Sequence, residues 1–234
     1  MAYWLSEELL FPPPQLADAD GLLAIGGNLS VKRLVLAYRN GIFPWYSRGE
    51  PILWWSPDPR FVLFPDELKV SKSMKQVLRS GQFTVTFDTH FKEVIHACKR
   101  IARKGQHGTW ITRDMAMAFQ QLHLAGFAHS VEVWNTNTGE LAGGLYGISL
   151  GRHFYGESMF SYQSNASKTG FIVMVKQLTQ WGFSLIDCQL HTQHLESLGA
   201  RNIPRTEFLL MLKENRAKET LRGDWRFDLP MPLL

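Results

Sequence analysis

Followed as a pattern of apolar and polar positions, the chain changes character near residue 65. Before it, apolar runs are short and broken: Pro12-Pro13-Pro14, a turn at Gly26-Gly27, a helix over 31–40 capped by Ser30 and stopped by Gly41, then the aromatic stretches IFPWY at 42–46 and ILWWSPDPR at 52–60. Repeated prolines deny the backbone long regular elements, which predicts a small, irregular N-terminal domain over 1–64. Beyond it the period alternates between two and 3.6. Strands are expected at 61–64 and 83–87, and helices from Ser71 to 80, over 89–103 and over 112–125, the last capped by Thr112 and ended by Gly126. Strands at 128–134 and 140–149 flank the turn at 135–139 as a hairpin, and 152–158 pairs next. A long apolar helix over 165–181, a strand at 184–189, a short helix at 191–198 and an amphipathic helix over 206–218 complete the pattern. Consecutive strands between helices predict an α+β domain over 65–234 on one mostly antiparallel sheet, with 229–234 as a loose tail.

Two segments place lone carboxylates among apolar residues, where a charge is costly unless it is paired, hydrogen-bonded or kept for chemistry: FYGESMFS at 154–161, with Glu157, and LIDCQ at 185–189, with Asp187. Strict alternation along 184–189 would put Asp187 and Gln189 on one face and Ile186 and Cys188 on the core face. Duller roles exist for both acids. Asp187 can accept backbone N–H groups at the start of the next helix, and Glu157 can pair with Arg152 or Lys168.

Composition adds little that contradicts this. With 234 residues, 45% of them hydrophobic, the chain can bury a substantial core. The acidic start, MAYWLSEE, is unlike a secretory signal, and no apolar run is long enough to span a bilayer, so a cytoplasmic protein is expected. Two cysteines, Cys98 and Cys188, make no disulfide framework. The net charge of +4 permits a polyanionic partner, and two clusters suit one: Lys69, Lys72, Lys75 and Arg79 along one helix, and Lys99, Arg100, Arg103 and Lys104 at the end of the next. Solvated helix faces explain the same clusters equally well. His191 and His194 have a metal-compatible spacing but lack further ligands, so no metal is expected.

Ten motifs in series carry a resemblance: LLAIGGNLS, GIFPWYS, WWSPDPR, GTWIT at 108–112, HSVEVW, FYGESMFS, NASKT, LIDCQ, LGA and IPR. Together they resemble the bacterial leucyl/phenylalanyl-tRNA–protein transferases from about residue 20 to about residue 210. The resemblance implies a small N-terminal domain followed by one like the GCN5-related N-acetyltransferases, working as a monomer and without a cofactor. The activity it implies moves Leu or Phe from aminoacyl-tRNA to an N-terminal Arg or Lys, marking the acceptor for proteolysis. It assigns catalysis to Asp187, Gln189 and Glu157, and the aminoacyl side-chain pocket to Leu145, Phe154, Phe171, Leu178 and Ile186. Trp45 and Trp110 match positions that meet the terminal adenosine, and Lys72, Lys75 and Arg79 match a tRNA-binding helix, in which Gln76 departs from the basic pattern.

The chemistry stands without the name. An aminoacyl ester is already activated, so attack by an amine requires positioning and proton management rather than ATP, a metal or an acyl-enzyme. A Gln carbonyl can orient an amine, and carboxylates suit a guanidinium or ammonium. The sequence leaves two alternatives open. An acyl-CoA-dependent N-acetyltransferase would need glycines before the long helix, where 161–168 reads SYQSNASK. A tRNA-binding module would leave the pocket merely structural, and the tryptophans would then be core.

Overall fold

The computed structural model describes residues 2–101 and 110–226. Arg103, Lys104, the first two residues of GTWIT and the expected tail at 229–234 therefore lie outside the described residues. The N-terminal region is more regular than its prolines suggest. Strands β1 (Tyr3–Leu5), β2 (Leu22–Gly26), β3 (Phe43–Pro44) and β4 (Leu53–Trp55) form a sheet in the order β1-β2-β4-β3, with helix α1 (Val31–Arg39) between β2 and β3. Strands this short fit between the prolines, and Pro44 lies on the edge strand, where its missing N–H costs no ladder bond.

A seven-stranded sheet comes next, built from β5 (Arg60–Leu63), β6 (Phe83–Phe87), β7 (Ala128–Asn135), β8 (Leu141–Leu150), β9 (His153–Ser161), β10 (Leu185–Gln189) and β11 (Arg201–Ile203). Its order is β11-β5-β10-β9-β8-β7-β6. Every neighbouring pair is antiparallel except β10 with β9. Strand β5, on the N-terminal side of the expected boundary at 64, belongs to this larger sheet. The helices are α2 (Lys72–Arg79), α3 (Phe91–Arg100), α4 (Arg113–Leu124), α5 (Ala166–Gln180), α6 (Gln193–Glu196) and α7 (Arg205–Asn215). Ser71 and Thr112 cap α2 and α4 by accepting the Met74 and Met115 backbone N–H groups.

The molecule is thus mixed α/β with helices on both sides of the large sheet. On one side, α2 and α5 pack Met74, Leu78, Phe171 and Leu178 over Phe154 and Ile186. On the other, α3 and α4 share one core with Tyr146 and Tyr155 and with Leu23, Tyr38 and Trp54 of the N-terminal region, so the two sheets are joined through apolar packing.

Sheet register creates a fork in the large sheet. Parallel pairing of β10 with β9 runs through Leu185, Ile186 and Asp187 opposite His153, Phe154 and Tyr155. Past that point β9 continues against β8 alone, and each strand carries a bulge. Glu157 is the extra residue between the Gly147–Gly156 and Tyr146–Ser158 pairs, and Cys188 is the extra residue between the pairs that Asp187 and Gln189 make with β5. Bulges bend strands and re-aim side chains. Here two of them sit side by side where the strands part.

Candidate active site

The fork opens onto a cavity of about 600 Å³, within the size range of small-molecule sites. Its lining includes the buried apolar residues Leu145, Phe154, Phe171 and Ile186, which we call its floor, and the less buried Trp45, Trp110, Glu157 and Gln189, which we call its mouth. Leu178 does not reach it. One turn further along α5 than Met174, which does line the cavity, Leu178 is buried in the core behind the floor. Met174, Met159, Phe160 and Ser167 line the cavity too. For Ser167, Phe171 and Met174, the spacing of three to four along an apolar helix was the available signal.

Strict alternation fails on β10. The bulge and a left-handed backbone at Gln189, φ 63°, bring its side chain to the cavity beside Ile186 and Cys188, which also line it. Asp187 points the other way and is wholly buried. Its Oδ1 and Oδ2 accept from Arg60 Nε and Nη2 at 2.8 and 2.6 Å, and Oδ1 also accepts from the Gln189 backbone N–H at 2.9 Å. Asp187 is therefore not among the cavity-lining residues. The backbone-accepting role considered for it is realised, at Gln189 rather than at the next helix.

Glu157 pairs with neither Arg152 nor Lys168. Its Oε1 accepts from Tyr38 Oη at 2.7 Å and from Gln189 Nε2 at 2.8 Å, and no described residue bonds Oε2. Burial pushes this carboxyl up to about 8; the two hydrogen bonds and Arg60 pull it down, while the Asp187 charge adds to the rise. Because the Gln189 amide N–H₂ is turned to Glu157, its carbonyl is left for a ligand. Burial also raises the Cys188 thiol, which keeps it protonated. No disulfide joins Cys98 and Cys188.

Near the mouth, Trp45 is half-exposed and meets Trp55 edge to face at 5.9 Å between ring centres. Trp54 is core, with its indole N–H donating to the Gly26 carbonyl. Lys72, Lys75 and Arg79 stand exposed on α2, away from the cavity lining. His191 bonds Glu196 at 3.1 Å, and His194 Nε2 is buried without a hydrogen-bond partner among the described residues. No group of three or more His, Cys, Asp or Glu arranged to hold a metal occurs among the described residues.

Fold and site together define a mixed α/β protein with a largely apolar cavity that ends beside a hydrogen-bonded carboxyl. The family model for leucyl/phenylalanyl-tRNA protein transferase matches residues 62–213, and that for the N-terminal domain of the same transferase matches 27–58; the chain belongs to this family. It is 57% identical over 221 residues to the leucyl/phenylalanyl-tRNA–protein transferase of Syntrophus aciditrophicus, covering 94% of this chain and 92% of that one. Against the enzyme of the same name from Nitrosospira multiformis it is 55% identical over 231 residues, covering 97% of this chain and 98% of the relative.

Proposed function

We propose that the protein moves Leu or Phe from its aminoacyl-tRNA to the amino terminus of an acceptor protein beginning with Arg or Lys, and so marks that protein for degradation. The observation that carries the reading is the apolar cavity ending at the Glu157–Gln189 pair, in a chain of this family. Leu145, Phe154, Phe171 and Ile186 take the aminoacyl side chain, with Leu178 backing them, and the ester carbonyl then lies at the mouth. Trp45 and Trp110 offer ring faces to the terminal adenosine, as aromatic platforms do for unpaired bases.

The Gln189 carbonyl accepts a hydrogen bond from the attacking amine and orients it. An N-terminal α-ammonium has a pKa of about 7.7–8.0, so Glu157, held near 8, takes its proton at little cost. The neutral amine forms the C–N bond, the extra proton on the tetrahedral nitrogen leaves to solvent, and the proton on Glu157 passes to the ribose oxygen as the ester C–O bond breaks. No group of the protein becomes acylated. We take 1–64 and 65–234 as the two functional units, and read the fork between parallel strands as support for a GCN5-related arrangement of the second. We take the working form to be a monomer. No helix among the described residues is long and apolar enough to cross a membrane; with a tRNA substrate, the cytoplasm is the fitting compartment.

The deciding assay supplies labelled Leu on tRNA and a peptide beginning with Arg, beside the same peptide N-acetylated and an acetyl-CoA control. Label on the free-amine peptide alone supports the reading. Salt-sensitive tRNA binding without transfer would replace it with a binding module, and acetylation from CoA with an acetyltransferase.

Neutralising Lys72, Lys75 and Arg79 together to Gln should weaken tRNA binding across all charged tRNAs and reduce the salt slope by about 2–3, because each phosphate contact contributes about 0.9; turnover at saturating tRNA should hold. Gly147→Ala should shift preference from Phe towards Leu in competition assays. A Cβ at residue 147 would stand 2.5 Å from the Phe154 ring and against the Tyr155 carbonyl, which drives that ring towards the cavity. Such overpacking also costs about 1–3 kcal/mol of stability.

A further inference from the structure

We propose that Arg60 is the positioning residue of this site: by clamping Asp187 it holds the backbone at Gln189 in the conformation that presents the Gln189 side chain to Glu157. The inference rests on the proposed transferase activity for its effect on turnover, but not for its geometry.

Gln189 sits at φ 63°, a left-handed region that an L-residue with a side chain enters only under strain. Something must hold it there. The Asp187 carboxylate does so locally, by accepting the Gln189 N–H at 2.9 Å. That carboxylate is itself wholly buried, where a charge persists only when paired. Arg60, 1% exposed, supplies the pair as a two-pronged contact, Nε to Oδ1 and Nη2 to Oδ2, which fixes the plane of the carboxylate as well as its charge.

The guanidinium is fixed in turn. It lies over the Phe43 and Phe208 rings at 4.8 and 4.7 Å, and Nη1 donates to the Gly41 carbonyl at 3.2 Å. Gly41 and Phe43 come just after α1, which carries Tyr38, the other donor to Glu157. One buried side chain therefore ties together the two walls that bond Glu157. A lysine has neither the plane nor the fork to replace it.

The test uses Arg60→Lys, and a double variant, Arg60→Met with Asp187→Leu, that removes both buried charges so that the fold survives. Both should lower kcat by about 10- to 100-fold, the scale of a misplacement near 1 Å, while KM for charged tRNA stays within about threefold because Leu145, Phe154, Phe171 and Ile186, which take the aminoacyl side chain, are unchanged. Loss of the Gln189 bond, which lowers the Glu157 pKa, should move the pH midpoint of transfer upward. Independently of activity, hydrogen exchange at the Gln189 backbone amide, followed by ¹⁵N NMR, should quicken by at least tenfold in Arg60→Lys, which keeps the Asp187 carboxylate that accepts this N–H. Unchanged kcat, or unchanged exchange at Gln189, in folded Arg60→Lys overturns the proposal. If wild-type protein transfers nothing, the transferase reading falls, and the exchange measurement still decides the role of Arg60.

Discussion

Glu157→Gln should lower the rate of transfer by about 10²–10³, the usual contribution of a positioned acid or base, and at the same time raise thermal stability above pH 8. The two effects have one cause. The neutral amide keeps the shape and can still accept from Tyr38 and Gln189, but it cannot take a proton from the attacking ammonium. The sign on stability follows from burial. Because the folded-state pKa, about 8, lies above the ordinary carboxyl value of 4.5, the folded protein holds this proton more tightly than the unfolded chain does, and the stability the group contributes is lost as pH rises through that window. The amide does not titrate and escapes that loss. In the wild-type protein the ionised fraction of Glu157 grows towards pH 8, so transfer should climb from pH 6 and level off above 8. A variant that retains activity, or melts lower at pH 9, would remove Glu157 from proton transfer.

Asp187→Ala should abolish activity by a different route. Deleting one partner of a buried, hydrogen-bonded pair strands the Arg60 charge in the core, a cost of about 3–5 kcal/mol, which for a chain of this length lowers the melting temperature on the order of 10 °C. The nearby Gln189→Gly should be its mirror image: glycine adopts φ 63° without penalty, so stability is kept or slightly raised while transfer is lost. Melting curves of the two variants beside their turnover numbers separate a residue that touches substrate from one that works through its neighbour. Equal destabilisation in both would refute the distinction.

That distinction was not legible in the sequence. The run LIDCQ reads as alternation, and period two contains no sign of the bulge that turns Gln189 back to the cavity side. Nor does it name the partner of Asp187, which lies 127 residues away on a strand expected to end the small domain. What could be read was local. Ser71 and Thr112 announce their helices, the Thr-Val-Thr alternation announces β6, and 135–139 announces its hairpin. The N-terminal strands leave no such trace because two to five residues between prolines show no period. The burial of Leu178 was legible but its layer was not, since apolar spacing along a helix says that a face is buried and not which part of it meets a ligand.

The cavity also crosses the seam between the two sheets. Phe43, Pro44 and Trp45 come from the edge of the small sheet, and Glu157 and Gln189 from the fork of the large one. Neither half is a reduced version of the whole. A chain cut between them would separate Phe43, Pro44 and Trp45 from the Glu157–Gln189 pair, and neither piece would carry the whole lining. The complete cavity therefore exists only once both sheets have folded and met.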